Sequence, residues 1–327
     1  MNLEAYPWLL KHFNNINLSN LPHALIINGP EGIGKSILAK EISKLILISG
    51  SDIKKSDHIT SLINSNSHPD FYNIDKDKIK VGDISRREKD KWDPDKGKRD
   101  AVNFLNFTPS ISKNKVLLIN NADTMNNNAQ NAFLKSLEEP ASFSYILMTT
   151  SRSYSLKSTI YSRCQTINIK NPTSYEIDSW LESKGLSDFK ALDFPSYYSP
   201  LKILKLIEDN NEQVYKEFIS LFEAYMLNKI TQGEFIKSFG DFDIDLIEKL
   251  NFTVEILKIL LSSRLQGAAL SGAYKKFNDL KFSNLKISNI INDINEMRYS
   301  FFKVTSINES HMFNYLFGEI KSSFKQQ

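Results

Sequence analysis

The sequence predicts an α/β fold in its first half, a five-stranded parallel sheet with helices on both faces, followed by a long all-helical region. Three observations carry that expectation. Five short apolar runs, at Ala24–Asn28, Phe71–Ile74, 116–120, 145–149 and 166–169, alternate with segments of helical spacing. The first run leads into a glycine-rich loop and then a helix, the order a phosphate-binding loop requires. Beyond Pro172 the strand signals fade and apolar residues recur at helical spacing to the end. Strands separated by helices pair in parallel and are covered on both faces, so a ligand belongs at their carboxyl ends.

The chain as a whole sets limits. Its 327 residues exceed what one compact core fills and suit two or three domains. Apolar residues at 41% and charged residues at 24% describe a soluble globular protein. Lys and Arg number 41 against 38 Asp and Glu, and a net charge of +3 is no argument for nucleic-acid binding. Residues Met1 to Trp8 hold no basic segment and no apolar core, so no signal peptide is expected. No run approaches the roughly 20 apolar residues of a membrane span, and a cytoplasmic protein is expected. Cys164 is the sole cysteine, which excludes an intramolecular disulfide framework and a cysteine-based metal cluster.

Taken in order, the first chemical feature is Gly29-Pro30-Glu31-Gly32-Ile33-Gly34-Lys35-Ser36. Gly29, Gly32 and Gly34 let backbone N–H groups turn inward around phosphate oxygens. Lys35 would reach the terminal phosphates, Ser36 would face Mg²⁺, and the helix opening at Lys35 adds its N-terminal partial charge. ATP with Mg²⁺ is the expected ligand; the bland alternative is an ordinary glycine turn before a helix. Between the second and third strands, residues 86–100 carry seven basic and five acidic side chains with a Pro and a Gly, which reads as a solvated loop insertion.

A hydrolysing P-loop enzyme needs a carboxylate at the end of a second strand to hold the metal, and a neighbour to orient water. The third strand ends instead in Asn120-Asn121. An amide offers a carbonyl but no negative charge, and it cannot act as a base. Asp123 comes two to three residues late, and a local role capping the next turn is expected for it. Asn128 is expected to cap a helix running to Glu139, with Ala129, Ala132, Phe133 and Leu137 on one face and Pro140 closing it. Thr149 or Thr150, at the fourth strand's end, could sense a terminal phosphate; a hydroxyl satisfying nearby backbone is the equal alternative. Arg163, between Thr159 and the last strand, is placed to point out of its own site, although a surface Arg is more often solvated or salt-bridged. In the helical region Phe218, Phe222, Tyr225, Phe301, Phe302 and Phe313 read as helix–helix packing rather than a base-stacking platform.

Four segments together resemble the bacterial DNA polymerase III clamp-loader family of AAA+ proteins. They are Tyr6-Pro7-Trp8-Leu9, Ser67-His68-Pro69-Asp70-Phe71-Tyr72, the stretch from Asn128 to Leu137-Glu138-Glu139-Pro140, and Ser162-Arg163-Cys164. The likeness is continuous over residues 1–170 and faint beyond. Its opening segment and His-Pro-Asp favour the family's wedge-like, non-hydrolysing subunit over the motor ATPases.

The resemblance implies three domains: an AAA+ nucleotide-binding α/β domain at 1–170, a small helical lid at 171–209, and a helical collar at 210–327. It implies a hetero-pentameric ring with motor ATPase subunits and delta as partners, and contact with the sliding clamp and primed DNA through that complex. It makes Arg163 an arginine finger acting in trans, and sets Lys202 where a lid arginine contacts nucleotide; a Lys there lacks the bidentate fork. Zinc-binding cysteines of many relatives are missing from residues 49–67, so no structural zinc is expected. Asn120-Asn121 fits a member that binds ATP without turning it over. The competing expectations are a motor ATPase of the same ring, rescued by Asp123 or another carboxylate, and, further away, a P-loop small-molecule kinase.

Overall fold

The computed structural model describes residues 3–49, 56–85, 100–152, 154–301 and 309–324. The charged insertion, apart from Asp100, and the side chains of Phe301 and Phe302 lie outside them. The chain forms two compact units, Met1–Thr173 and Ser174–Gln327.

The first unit is built on five parallel strands: β1 (Ala24–Asn28), β2 (Phe71–Ile74), β3 (Lys115–Ile119), β4 (Ser144–Thr150) and β5 (Gln165–Asn168), in the order β2-β3-β4-β1-β5. Each expected strand is present within one residue of its predicted ends. β1 and β3 are buried on both faces, whereas β5, at an edge, is partly exposed. Parallel strands with helices on both sides produce this contrast. Ala24 and Ile26 of β1, Leu117 and Ile119 of β3, and Ile146 and Met148 of β4 join one core. α5 (Ala101–Asn106), α6 (Asn127–Glu138) and α7 (Ser158–Tyr161) complete it with Phe104, Phe133 and Ile160. α2 (Lys35–Ile48) packs on β3 and β4 and buries Leu38, Ala39, Ile42 and Ile46. α1 (Pro7–Asn14), with Pro7 at its first position, packs against α2. α3 (Ser56–Asn64) and the short α4 (Val81–Ile84) fill the connections on either side of β2.

One local detail differs from expectation. Asn126, not Asn128, caps α6, its Oδ1 accepting the Ala129 N–H at 2.8 Å, so the cap lies two residues earlier. Three consecutive asparagines offer equivalent caps to the sequence. Only the turn leaving β3 selects the one whose backbone is extended. His68-Pro69-Asp70 has a visible structural task. The buried Asp70 carboxylate accepts the N–H groups of Ser110, Ile111 and Ser112 at 2.6, 2.7 and 2.8 Å, fixing the loop that feeds β3.

The second unit comprises α8 (Ser174–Ser183), α9 (Pro200–Glu208), α10 (Val214–Met226), α11 (Gln232–Asp241), α12 (Leu246–Gln266), α13 (Asn284–Phe301) and α14 (Glu309–Ser323). Its core is aromatic: Phe235 lies 4.6 Å from Phe317 and from Tyr225, and Phe239 lies 4.8 Å from Phe313, centroid to centroid. These rings pack helix on helix, as their spacing predicts. The segments expected as lid and collar are tied within this unit. Ser196 N–H donates to Glu255 at 2.9 Å, and Lys216 pairs with Asp193 at 3.1 Å. Among the described residues no helix is long and apolar enough to cross a membrane.

Candidate nucleotide site and an outlying arginine

The strand order reverses at β1, with the connection leaving it for β2 on one side and β5 pairing on the other, and such a switch point opens a crevice at the strands' carboxyl ends. The glycine loop lies there. Gly29 N–H donates to Thr150 O at 3.2 Å, and a Cβ on Gly29 would stand 2.7 Å from the Ile169 carbonyl oxygen. The first glycine is therefore demanded by close approach of the chain leaving β5. Gly32 and Gly34 have φ of 70° and 95°, the left-handed conformation that turns successive N–H groups toward one concavity. Gly34 is the N-cap of α2 and supplies no side chain to its first turn, so those N–H groups face the loop as an anion site. Ile33, between the two glycines, is fully buried, and its carbonyl accepts the Trp8 indole N–H at 2.9 Å.

Lys35 is only 6% exposed. Its ammonium donates to Gly29 O at 2.9 Å, Pro30 O at 2.7 Å and Ser151 Oγ at 2.9 Å. Burial pulls its pKa down to about 8, while Asp123 and Glu31 act in the opposite sense. The three acceptors are neutral oxygens, so a phosphate would compete for this cation on charge-assisted terms. Ser36 is exposed and lines a cavity of about 440 Å³ with Asn73, Asp75 and Asn120 among its walls.

The end of β3 is an amide network. Asn120 is buried, and its Nδ2 donates to Asn73 Oδ1 at 3.1 Å. Asn121 takes a left-handed conformation with φ 51°, which Asn tolerates better than most residues. The Thr149 hydroxyl accepts the Asn121 N–H at 3.1 Å and reaches Asn120 Oδ1 at 3.4 Å. In this protein Thr149 thus satisfies the end of the neighbouring strand.

Asp123 does not cap the next turn. Asn121 reverses the chain and sends Asp123 back toward the exit of β4, where its Oδ2 accepts Arg152 Nε at 2.9 Å. Its Oδ1 is buried with no partner among the described residues. Ser151 and Arg152 belong to the polar cluster that follows β4, but spacing assigns them no role, because their contacts arise from the crossing of two loops.

The geometry brings Gly29, Gly32, Gly34, Lys35, Ser36, Thr149, Asn120 and Asn121 to the carboxyl edge of the sheet, and it leaves Arg163 elsewhere. Arg163 precedes β5, whose first residue Gln165 pairs with Leu25 near the start of β1. Roughly 13 Å of strand, at about 3.3 Å per residue, separates that level from the glycine loop. Arg163 therefore lies at the amino edge of the sheet and cannot serve its own chain's loop. It is 33% exposed and pairs with Glu138 at 2.7 Å, its other contacts being Thr159 O at 2.7 Å and Ser162 Oγ at 3.2 Å. Two segments distant in sequence, Leu-Glu-Glu-Pro and Ser-Arg-Cys, meet in this ion pair. Neighbouring Cys164 is inert, its thiol pushed up to about 12 by burial. Lys202, in the second unit, pairs with Glu248 at 3.2 Å and stands 3.8 Å above the Tyr198 ring.

The residues fit a nucleotide: a left-handed glycine nest, an uncapped helix start, a buried ammonium and a hydroxyl beside a polar cavity. Comparison with known proteins bears on the family of the chain. The family described as DNA polymerase III, delta subunit, matches residues 7–173. The DNA polymerase III subunit delta' of Buchnera aphidicola is 29% identical over 223 residues, covering 64% of each chain. The corresponding protein of Haemophilus influenzae is 30% identical over 188 residues, 55% of this chain and 54% of its own. That of Pseudomonas aeruginosa is 24% identical over 289 residues, 83% of each. This chain therefore spans 64% and 54% of the first two relatives' lengths, under two thirds in both. A solved gamma subunit-related protein from Thermotoga maritima matches at 16% identity and a TM-score of 0.46 over 97% of this chain and 99% of its own, too distant to carry an argument.

Proposed function

The chain belongs to the DNA polymerase III delta-prime clamp-loader family, and from that membership we propose that it binds ATP without turning it over and lends Arg163 to a neighbour. One observation carries the reading: the phosphate cradle and Arg163 occupy opposite edges of a single sheet, and amides stand at β3 where a carboxylate pair would be needed. The cradle binds in cis. Gly32, Gly34 and the first turn of α2 offer N–H donors, Lys35 offers charge, and Ser36 offers a hydroxyl toward Mg²⁺. A bound Mg²⁺ would neutralise phosphate charge. Asn120 and Asn121 supply neither a metal-holding charge nor a base for water, so this chain's residues hold the nucleotide and stop there.

Arg163 acts outward. A guanidinium set against a neighbouring subunit's ATP stabilises charge that develops on the transferring phosphoryl group. Its resting bond to Glu138 is half-exposed and therefore weak enough to exchange. The partners that follow are motor ATPase subunits and delta in a pentameric ring in the cytoplasm, with the sliding clamp and primed DNA reached through the complex. Assays on the purified chain test the reading. The purified chain should bind a fluorescent ATP analogue with Mg²⁺ and show no ATPase above a Lys35→Ala control; DNA-stimulated turnover by this chain alone would sink it.

A hydrolysing reading draws on one feature, Asp123. Its buried Oδ1 lacks a partner among the described residues, and its charge supports that of Lys35. Turnover that is present in the natural chain and lost in Asp123→Asn would favour this second reading.

A further inference from the structure

We propose that Trp8 is the positioning residue of the phosphate loop, aiming the Gly34 N–H into the cradle by holding the carbonyl on the other side of the same peptide. The inference rests on the nucleotide-binding reading above and adds a residue to that site. Trp8 Nε1 donates to the Ile33 carbonyl at 2.9 Å, across 25 positions of sequence. The Ile33–Gly34 peptide is trans, so its C=O and N–H point in opposite directions. A carbonyl pinned toward Trp8 fixes the Gly34 N–H toward the opposite side, where the nest opens. The loop needs such a clamp from outside. Glycines at φ 70° and 95° flank this residue, and the freedom that lets Gly34 adopt its conformation also lets the peptide turn over cheaply.

Trp8 is suited to the task because it is itself immobile. It is buried on α1, with Tyr6 edge-on at 5.9 Å, and α1 packs on α2, the helix the loop opens into. Indole is a donor only, and a buried N–H must be given an acceptor. Phe in its place would keep a smaller aromatic ring there and leave the Ile33 carbonyl without that donor.

The test compares natural protein, Trp8→Phe, and a protein carrying benzothienylalanine at position 8, which swaps the N–H for sulfur at nearly unchanged shape. Trp180→Phe, which removes a buried indole from the second unit, is the control for general destabilisation. Loss of the donor is expected to weaken the fluorescent MgATP analogue about tenfold, with the control unchanged. Linkage requires the reciprocal effect: MgATP should slow hydrogen exchange at the Trp8 indole N–H. Unaltered affinity in both position-8 variants, or indole exchange indifferent to bound nucleotide, overturns the proposal. If the natural protein binds no nucleotide, the cradle reading itself has failed. Trp8 is then judged on ligand-free protein, where removing the indole donor should bring microsecond-to-millisecond motion to the Gly34 N–H in NMR relaxation dispersion, and an equally rigid amide refutes the clamp.

Discussion

The two edges of the sheet in the first unit treat their cations differently. At the carboxyl edge, Lys35 is buried, held by three neutral oxygens, and shifted toward losing its proton. At the amino edge, Arg163 is a third exposed and paired with one carboxylate at the end of α6. On the function proposed above, the buried ammonium in its nest of glycine N–H groups waits for a ligand that comes to it, and the more exposed guanidinium, which stays charged at any physiological pH, goes to a ligand elsewhere. Strand direction enforces the division, because the loop after β1 and the turn before β5 emerge at opposite ends of parallel strands.

Substitutions can break that division or sharpen it. The largest effect is expected at Arg163. In reconstituted complex, Arg163→Ala should lower turnover at the adjoining site by about a thousandfold, the lower range for arginine fingers, while this chain's own nucleotide affinity stays unchanged. A parallel loss of affinity would show that the two edges are not separate. Next comes Lys35→Ala, which removes two or more charge-assisted bonds to phosphate and should weaken the ATP analogue about a hundredfold in equilibrium titration. Acidity should tell the two cations apart. Because only the ammonium form of Lys35 attracts phosphate, affinity should decline as pH rises through about 8, the value to which burial pulls it. The sign for stability is the reverse. A lysine whose folded pKa is depressed binds fewer protons folded than unfolded between about 8 and its ordinary 10.5, so thermal stability from this group rises with pH across that window. The smallest effect is expected at Glu138→Gln, which frees Arg163 from a half-exposed pair. Assembly and turnover in the complex should change by less than about fivefold, consistent with an ion pair of about 1 kcal/mol or less.

Much of this was legible beforehand for a physical reason: fully buried parallel strands must be short apolar runs, and a glycine loop between strand and helix has few other uses. The missing carboxylates at Asn120 and Asn121 were legible too, since strand ends are fixed by the runs themselves. The cap of α6 is expected at Asn128 and found at Asn126 because the consecutive asparagines have the same side chain and only backbone conformation separates them. Asp123 was misjudged because the left-handed turn at Asn121 is invisible in a pattern of residue types.

By itself the sequence determined the α/β class, the five strands, the glycine loop after the first, the asparagine pair after the third and the arginine that precedes the last. Those features are local, encoded in periodicity and in residues a few positions apart. Tertiary structure alone decided which groups meet: Trp8 with Ile33, Ser151 with Lys35, Arg152 with Asp123, Glu138 with Arg163. Each of these contacts joins segments that only the pairing of strands and the packing of helices bring within hydrogen-bond reach. The strand order also set Lys35 and Arg163 at opposite edges, and that separation underlies the different work proposed for the two cations.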